Sequence, residues 1–379
     1  MTPHAVVGSL LGMSAAVLLA ACSGGSGGGD APSSVGGSAT PSTSSSSGTT
    51  ASPDSGPPEV TEVARDLDVP WDIAFVPDGD ALVTLRDRGT IVRIADGRVS
   101  EVGTVPGVAA DGEGGLLGLA VSPDFAQDET IFVYATTDED NRVLRMTLGD
   151  NGLGSPEPVL TGIPNAGIHN GGRIAFGPDG HLYVATGDAG ETSSSQRADS
   201  LGGKILRITP DGEPAPGNPE ADSPVWSSGH RNVQGLAWGE DGTMWASEFG
   251  QSTWDELNRI TPGSDYGWPQ VEGVGGRSEF VDPVATWSTA EASPSGIAVA
   301  DDGSVVMAAL RGESLWRVPV TGEGEGTQVG TPQRLLEGEH GRLRDVALAP
   351  DGSLWVLTNN TFRGEPREGD DRVLRITLR

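Results

Sequence analysis

The chain has 379 residues, with 24 Lys plus Arg against 53 Asp plus Glu, giving a formal net charge of −29. Its 57 Gly and 27 Pro disfavour a helical bundle and favour a turn-rich β protein. So acidic a chain lacks the clustered Lys/Arg that displace counterions from phosphate backbones, so no nucleic-acid partner is expected, and its single Cys excludes an intramolecular disulfide or a Cys-based zinc site.

Residues 5–21 form a short apolar run ending Leu19-Ala20-Ala21-Cys22. That length, closed by small residues, predicts a signal-peptide core over 1–21 rather than a spanning helix. Leu-Ala-Ala-Cys resembles the lipobox of bacterial lipoproteins, which implies cleavage before Cys22, a lipid on its thiol, and an extracytoplasmic protein anchored to the cell membrane. Residues 22–58 are almost entirely Gly, Ser, Thr, Pro and Ala. Such a segment buries too little apolar surface to offset its chain entropy and is expected to be a disordered tether. The folded domain is expected over 59–379.

From Glu59 onward one pattern recurs six times. An apolar run leads into a turn carrying Asp78, Asp124, Asp179, Asp241, Asp302 or Asp351, spaced 46 to 62 residues apart, and a second apolar run follows most of them. A further alternating element follows each, such as Thr90-Ile91-Val92-Arg93-Ile94 and Arg372-Val373-Leu374-Arg375-Ile376. Asp-Gly turns between alternating runs are hairpin signals, and six copies of a four-stranded unit predict an all-β, six-bladed β-propeller. Features present in every blade mark no site, so sites are sought where blades depart from the pattern.

Four loops depart, each just before an inner strand: Asp111–Leu117 with Glu113, Gly167–Arg173 with His169, Gly229–Gly235 with His230, Arg231 and Asn232, and Gly341–Asp345 with Arg342 and Arg344. Inner strands start around the channel of a propeller, so these loops are expected to converge. A neutral His can take a proton from a hydroxyl, and Arg clamps bind carboxylates, so an Arg-rich funnel in an acidic chain points to a polycarboxylate ligand. His4, His181 and His340 read as ordinary. Trp254–Asn258 and Ser264–Pro269 offer hard oxygen ligands of the kind Ca²⁺ prefers.

These motifs, with Gly114-Gly115-Leu116-Leu117-Gly118, Tyr266-Gly267-Trp268-Pro269 and Ala309-Leu310-Arg311-Gly312, resemble the soluble aldose sugar dehydrogenases of the glucose/sorbosone dehydrogenase family. The resemblance covers about residues 60–379 and implies pyrroloquinoline quinone (PQQ) and calcium as cofactors. It implies His169 as general base, Arg231 and Asn232 over the quinone, Arg342 and Arg344 on its carboxylates, and Glu256 with the Tyr266 carbonyl on calcium. Oxidation of an aldose at C1 to the lactone follows, with electrons passed to an acceptor the sequence does not identify. The chain departs from the family pattern at Glu113, where PQQ binders usually carry Gln, and at Arg311, where they often carry Lys. A carboxylate at 113 is expected to repel an anionic cofactor unless protonated or paired with a neighbouring Arg. The competing reading is a catalytically silent lipoprotein that binds carbohydrate or protein at the cell envelope.

Overall fold

A computed structural model describes residues 56–149 and 152–378. The expectations for 1–21, for Cys22 and for most of 22–58 lie outside the described residues. Six antiparallel sheets of at least four strands are arranged as the blades of a propeller. Their innermost strands are Pro70–Phe75, Leu116–Val121, Ile174–Phe176, Val233–Trp238, Pro294–Val299 and Leu343–Leu348, taken here as the starts of blades 1 to 6. Each inner strand packs on that of the next blade, and blade 6 packs on blade 1, closing the ring.

Closure uses the start of the described chain. Glu59–Ala64 is the outermost strand of blade 6, antiparallel to Val373–Thr377, with Glu59 opposite Thr377. The fourth strands lacked a repeat signal in the sequence because they lie at the rim. Arg98–Thr104, for instance, buries no residue fully, whereas Ala81–Leu85 is buried throughout.

The core is divided rather than central. Six hydrophobic clusters occur among the described residues, one between each pair of neighbouring blades. Leu117, Phe132 and Tyr134 of blade 2 meet Ile174, Leu182 and Leu206 of blade 3, for example. Both faces of an inner sheet are therefore covered, which is why these strands read as nearly continuous apolar runs.

In four of the six blades the recurring Asp and Arg prove to be partners, whereas in blade 4 Arg259 and Asp241 both bond to Gly324. Arg93 pairs with Asp78, Arg207 with Asp179 at 2.7 Å, Arg317 with Asp302, and Arg375 with Asp351 at 2.6 Å. Each pair ties the third strand to the turn between the first two, a structural role that explains the repetition. In blade 2 a single helical turn, Phe125–Asp128, replaces the Asp-Gly turn, and Arg145 pairs instead with Glu157 and Asp211.

A buried ion cluster crosses the channel. The Arg173 guanidinium of blade 3 contacts Asp72 of blade 1 and, at 3.0 Å, Asp345 of blade 6. Its Nε donates to the Gln234 carbonyl of blade 4 (2.9 Å), and Asp72 accepts the Leu119 N–H of blade 2 (2.8 Å). Four blades thus meet at one cation and a fifth joins through Asp72, and the cation also lies 4.6 Å over the Trp71 ring. Burial pushes the Asp345 carboxyl well above its usual range despite the opposing pull of Arg173.

Candidate active site

Trp71, on which Arg173 stacks, also lines a cavity of about 470 Å³. Its lining includes Glu113, His169, Arg231, Asn232, Arg311, Arg342 and Arg344, so seven of the sequence-derived positions share one space. Two kinds of loop build it. One leads into an inner strand and supplies Glu113, His169, Arg231, Asn232 and Arg342, with Arg344 on the inner strand that follows. The other follows a second strand and supplies Arg86, Phe249, Arg311, Phe362 and Arg363.

His169 lies at a left-handed backbone position, φ 54°. Its Nδ1 is 2.7 Å from Asp188 Oδ1, and its Nε2 is 2.9 Å from Arg231 Nη2. A guanidinium can only donate, so Nε2 is an acceptor and the neutral ring carries its proton on Nδ1, facing Asp188. The imidazole thereby presents a lone pair to the cavity. Asp188 is itself held by Trp268 Nε1 (2.9 Å) and the Gly190 N–H (2.8 Å). Burial pushes the Asp188 carboxyl up, but the bonds from His169, Gly190 and Trp268 outweigh it and leave its pKa below the ordinary value.

Arg231 is placed from behind by blade 4. Its backbone N–H donates to Glu248 Oε1, and its Nη1 reaches the Phe249 carbonyl at 3.2 Å. The other Glu248 oxygen lies 2.8 Å from His230 Nδ1, while Ser227 Oγ lies 2.8 Å from Nε2. His230 is fully buried and stacked on Tyr266, so both ring nitrogens are committed to the scaffold. Asn232 Oδ1 accepts the Gly171 N–H (2.9 Å) and steadies the His169 loop.

The cavity's charge runs against that of the chain. Six arginines line it, and among the described residues four of them, Arg231, Arg311, Arg342 and Arg344, form no ion pair. Arg344 is only 4% exposed and has neutral partners: Gln234 Oε1 at 2.8 Å, Ser295 Oγ and Asn359 Oδ1. Its Nε has no partner, nor have those of Arg231 and Arg342. Burial, with Arg86 and Arg342 beside it, lowers the Arg344 pKa well below the usual value. A buried cation without a counter-ion is costly, and an anion in the cavity relieves that cost.

Glu113 does not stand as an isolated negative charge. Arg363 Nη1 lies 2.9 Å from its Oε1, which meets the pairing condition set by the sequence analysis.

Glu256 and Tyr266 lie outside the cavity lining. Glu256 accepts from Asn258 Nδ2 (3.0 Å) and the Gly273 N–H (2.7 Å), and burial, with Glu248 nearby, pushes its carboxyl up to about 8. The Tyr266 hydroxyl donates to the Arg259 carbonyl at 2.7 Å. Asn258 Oδ1 is buried without a partner. No group of three or more His, Cys, Asp or Glu suited to a metal occurs among the described residues.

This site lies in a known architecture. The glucose/sorbosone dehydrogenase profile matches residues 67–364. The chain belongs to the glucose/sorbosone dehydrogenase family. It is an oxidoreductase. It is 32% identical over 340 residues to an aldose sugar dehydrogenase of Escherichia coli strain K12, covering 79% of this chain and 90% of that protein. It is also 32% identical over 303 residues to quinoprotein glucose dehydrogenase B of Acinetobacter calcoaceticus, covering 70% and 61%. Among solved structures it is similar to the PQQ-bound form of the aldose sugar dehydrogenase of Streptomyces coelicolor, at 55% identity and a TM-score of 0.81, covering 85% of this chain and 98% of that one.

Within this family member, sequence reasoning missed Arg86, Asp188 and Arg363. All follow a second strand, at the ends of Ala81–Leu85, Leu182–Ala185 and Leu354–Thr358. A polar residue within a few positions of each second apolar run was the available signal. Arg86 is buried against the Phe362 ring at 3.8 Å, with its Nε 2.7 Å from Asp87.

The segment that follows the cavity residues Phe249 and Gly250 is fastened by Glu272, whose Oε1 accepts the N–H groups of Gln251, Ser252, Thr253 and Trp254 at 2.8–3.1 Å. Burial raises the Glu272 pKa, but these four bonds outweigh it and bring the folded value below the ordinary one. Its contribution to the loop is therefore present above the free-Glu range and is lost as pH falls through the folded value. Amide protection at 251–254 should fall on acidification below about pH 4. Glu272→Ala, which removes the acceptor, should show low protection even at neutral pH. Equal protection in both proteins at neutral pH would remove Glu272 from this role.

Proposed function

We propose that the chain oxidises aldose sugars at C1 to the lactone, using PQQ and Ca²⁺, as a lipoprotein tethered outside the cell membrane through Cys22. The observation that carries this reading is the set of four unpaired arginines around the neutral His169. PQQ is a tricarboxylate, and the orphaned Nε atoms of Arg231, Arg342 and Arg344 suit carboxylate acceptors. Arg342, Arg344 and Arg311 would hold its carboxylates, with Arg231 and Asn232 over the ring system. When bound, the quinone would supply the hydride acceptor, and the Arg231 guanidinium in the same cavity would polarise its carbonyl.

The chain's own residues do the rest. A sugar hydroxyl displaces the Arg231 N–H from His169 Nε2 and donates its proton there. Asp188 keeps the Nδ1 proton in place and stabilises the imidazolium that forms. Arg231, released from the ring, is left beside the reacting oxygen as a donor. For calcium, Glu256 and the Tyr266 carbonyl are the oxygen ligands, and the unpartnered Asn258 Oδ1 beside Glu256 is a further hard acceptor.

The test is a titration of the protein with PQQ and Ca²⁺, read by quinone absorbance, followed by a panel of aldoses. Saturable binding with sugar-dependent bleaching is expected, lost on chelation of calcium. Absence of binding at micromolar PQQ would overturn the reading.

A further inference from the structure

Glu113 stands where three blades meet at the cavity mouth. It precedes the inner strand of blade 2. Its Oε2 accepts the His169 N–H from blade 3 (3.1 Å), and its Oε1 accepts Arg363 Nη1 from blade 6 (2.9 Å). Its own N–H donates to the Gly167 carbonyl at 3.0 Å. The two loops touch through their backbones here: a Cβ on Gly112 would lie 2.1 Å from the Gly167 oxygen. Arg363 lies 4.8 Å over one ring whose other contact is the cavity's Arg86, since both guanidiniums pack on Phe362.

The bond to His169 matters because of where it falls. A side chain with a β-carbon disfavours the left-handed backbone region, so the φ of 54° at His169 is held by its surroundings. Glu113 Oε2 is the acceptor for that residue's N–H. The same carboxylate is oriented by a guanidinium from blade 6, across blade 1, and side-chain exposures of 23% for Glu113 and 53% for Arg363 leave the pair at the rim.

We propose that Glu113 is a positioning residue. Clamped by Arg363, its carboxylate holds the His169 backbone, and so sets the imidazole against Asp188 and Arg231, while the pair adds no net charge to an anion-binding cavity. The acid at this position is then half of a two-residue device rather than a defect in the cofactor site. The consequence for turnover rests on the function proposed above, whereas the clasp itself does not.

The test compares wild type, Glu113→Ala, Glu113→Gln and Arg363→Met in three readouts: hydrogen exchange at the His169 amide without cofactor, PQQ affinity of the apo protein, and kcat. Glu113→Ala should exchange the His169 amide at least about tenfold faster. Its kcat should fall about 10- to 100-fold, while PQQ binds more tightly because a negative charge has gone. Glu113→Gln keeps an acceptor oxygen and should lose less kcat than Ala. Arg363→Met, altered at an exposed side chain, should speed the same exchange and weaken PQQ binding by leaving the carboxylate unbalanced. Unchanged His169 exchange in both Glu113→Ala and Arg363→Met would overturn the clasp. So would a change in affinity alone with kcat retained, or a lowered melting temperature with all readouts falling together. Failure of wild type to bind PQQ would overturn the functional reading, and the exchange data would still decide the clasp.

Discussion

His169→Asn is expected to lower kcat by about 10³-fold while PQQ binding, measured on the apo protein, stays close to wild type. Asn can accept a hydrogen bond but cannot carry the proton away, and the four unpaired arginines proposed to hold the cofactor are untouched. Turnover within tenfold of wild type would remove His169 from the role of base. Asp188→Asn probes the same step from behind. Its amide can donate to Nδ1, which moves the ring proton to Nε2 and points a donor at Arg231 Nη2, now 2.9 Å away. A loss of about 10²-fold or more in kcat is expected, with KM for the sugar affected less.

Arg173→Met is expected to destabilise the protein by about 3–5 kcal/mol in denaturant unfolding, because it leaves Asp72 and Asp345 buried without their cation. Both carboxylates are almost fully buried and face each other's negative charge in the channel. The loss of cation stacking on Trp71 adds to this. If repulsion between stranded carboxylates is the cause, adding Asp345→Asn to Arg173→Met should recover part of the loss. A change below about 1 kcal/mol would show that the cluster contributes little beyond filling space.

The propeller was legible because its signal is local and repeated. Turn Asp and third-strand Arg recur in sequence, and their partnership in four blades explains why. The inner strands read clearly because both faces of the sheet are covered. The outermost strands did not read, since Glu59–Ala64 and Arg98–Thr104 lie at the rim, where burial imposes little pattern. Convergence of Glu113, His169, Arg231 and Arg344 followed from their equivalent places before or at the start of inner strands. Asp188, Arg86 and Arg363 were invisible for the opposite reason. They stand at the far end of second strands, and nothing in the spacing of one chain says that those ends share a mouth with the first set. Glu113 looked like an obstacle because its counter-ion is 250 residues away.

The pairing of Glu59–Ala64 with Val373–Thr377 also sets an order of events in synthesis. The two strands are more than 300 residues apart, so the outer edge of blade 6 is not paired until the whole domain has been synthesised. Blades 1 to 5 are each built from continuous sequence and can form in turn, and the last blade is a seam. Contacts at such long range are slow to make, and until the seam is sewn the third strand of blade 6 presents an open edge to any neighbouring chain. The interval between completing the chain and closing the ring is therefore the stage at which this protein is most exposed to misassembly.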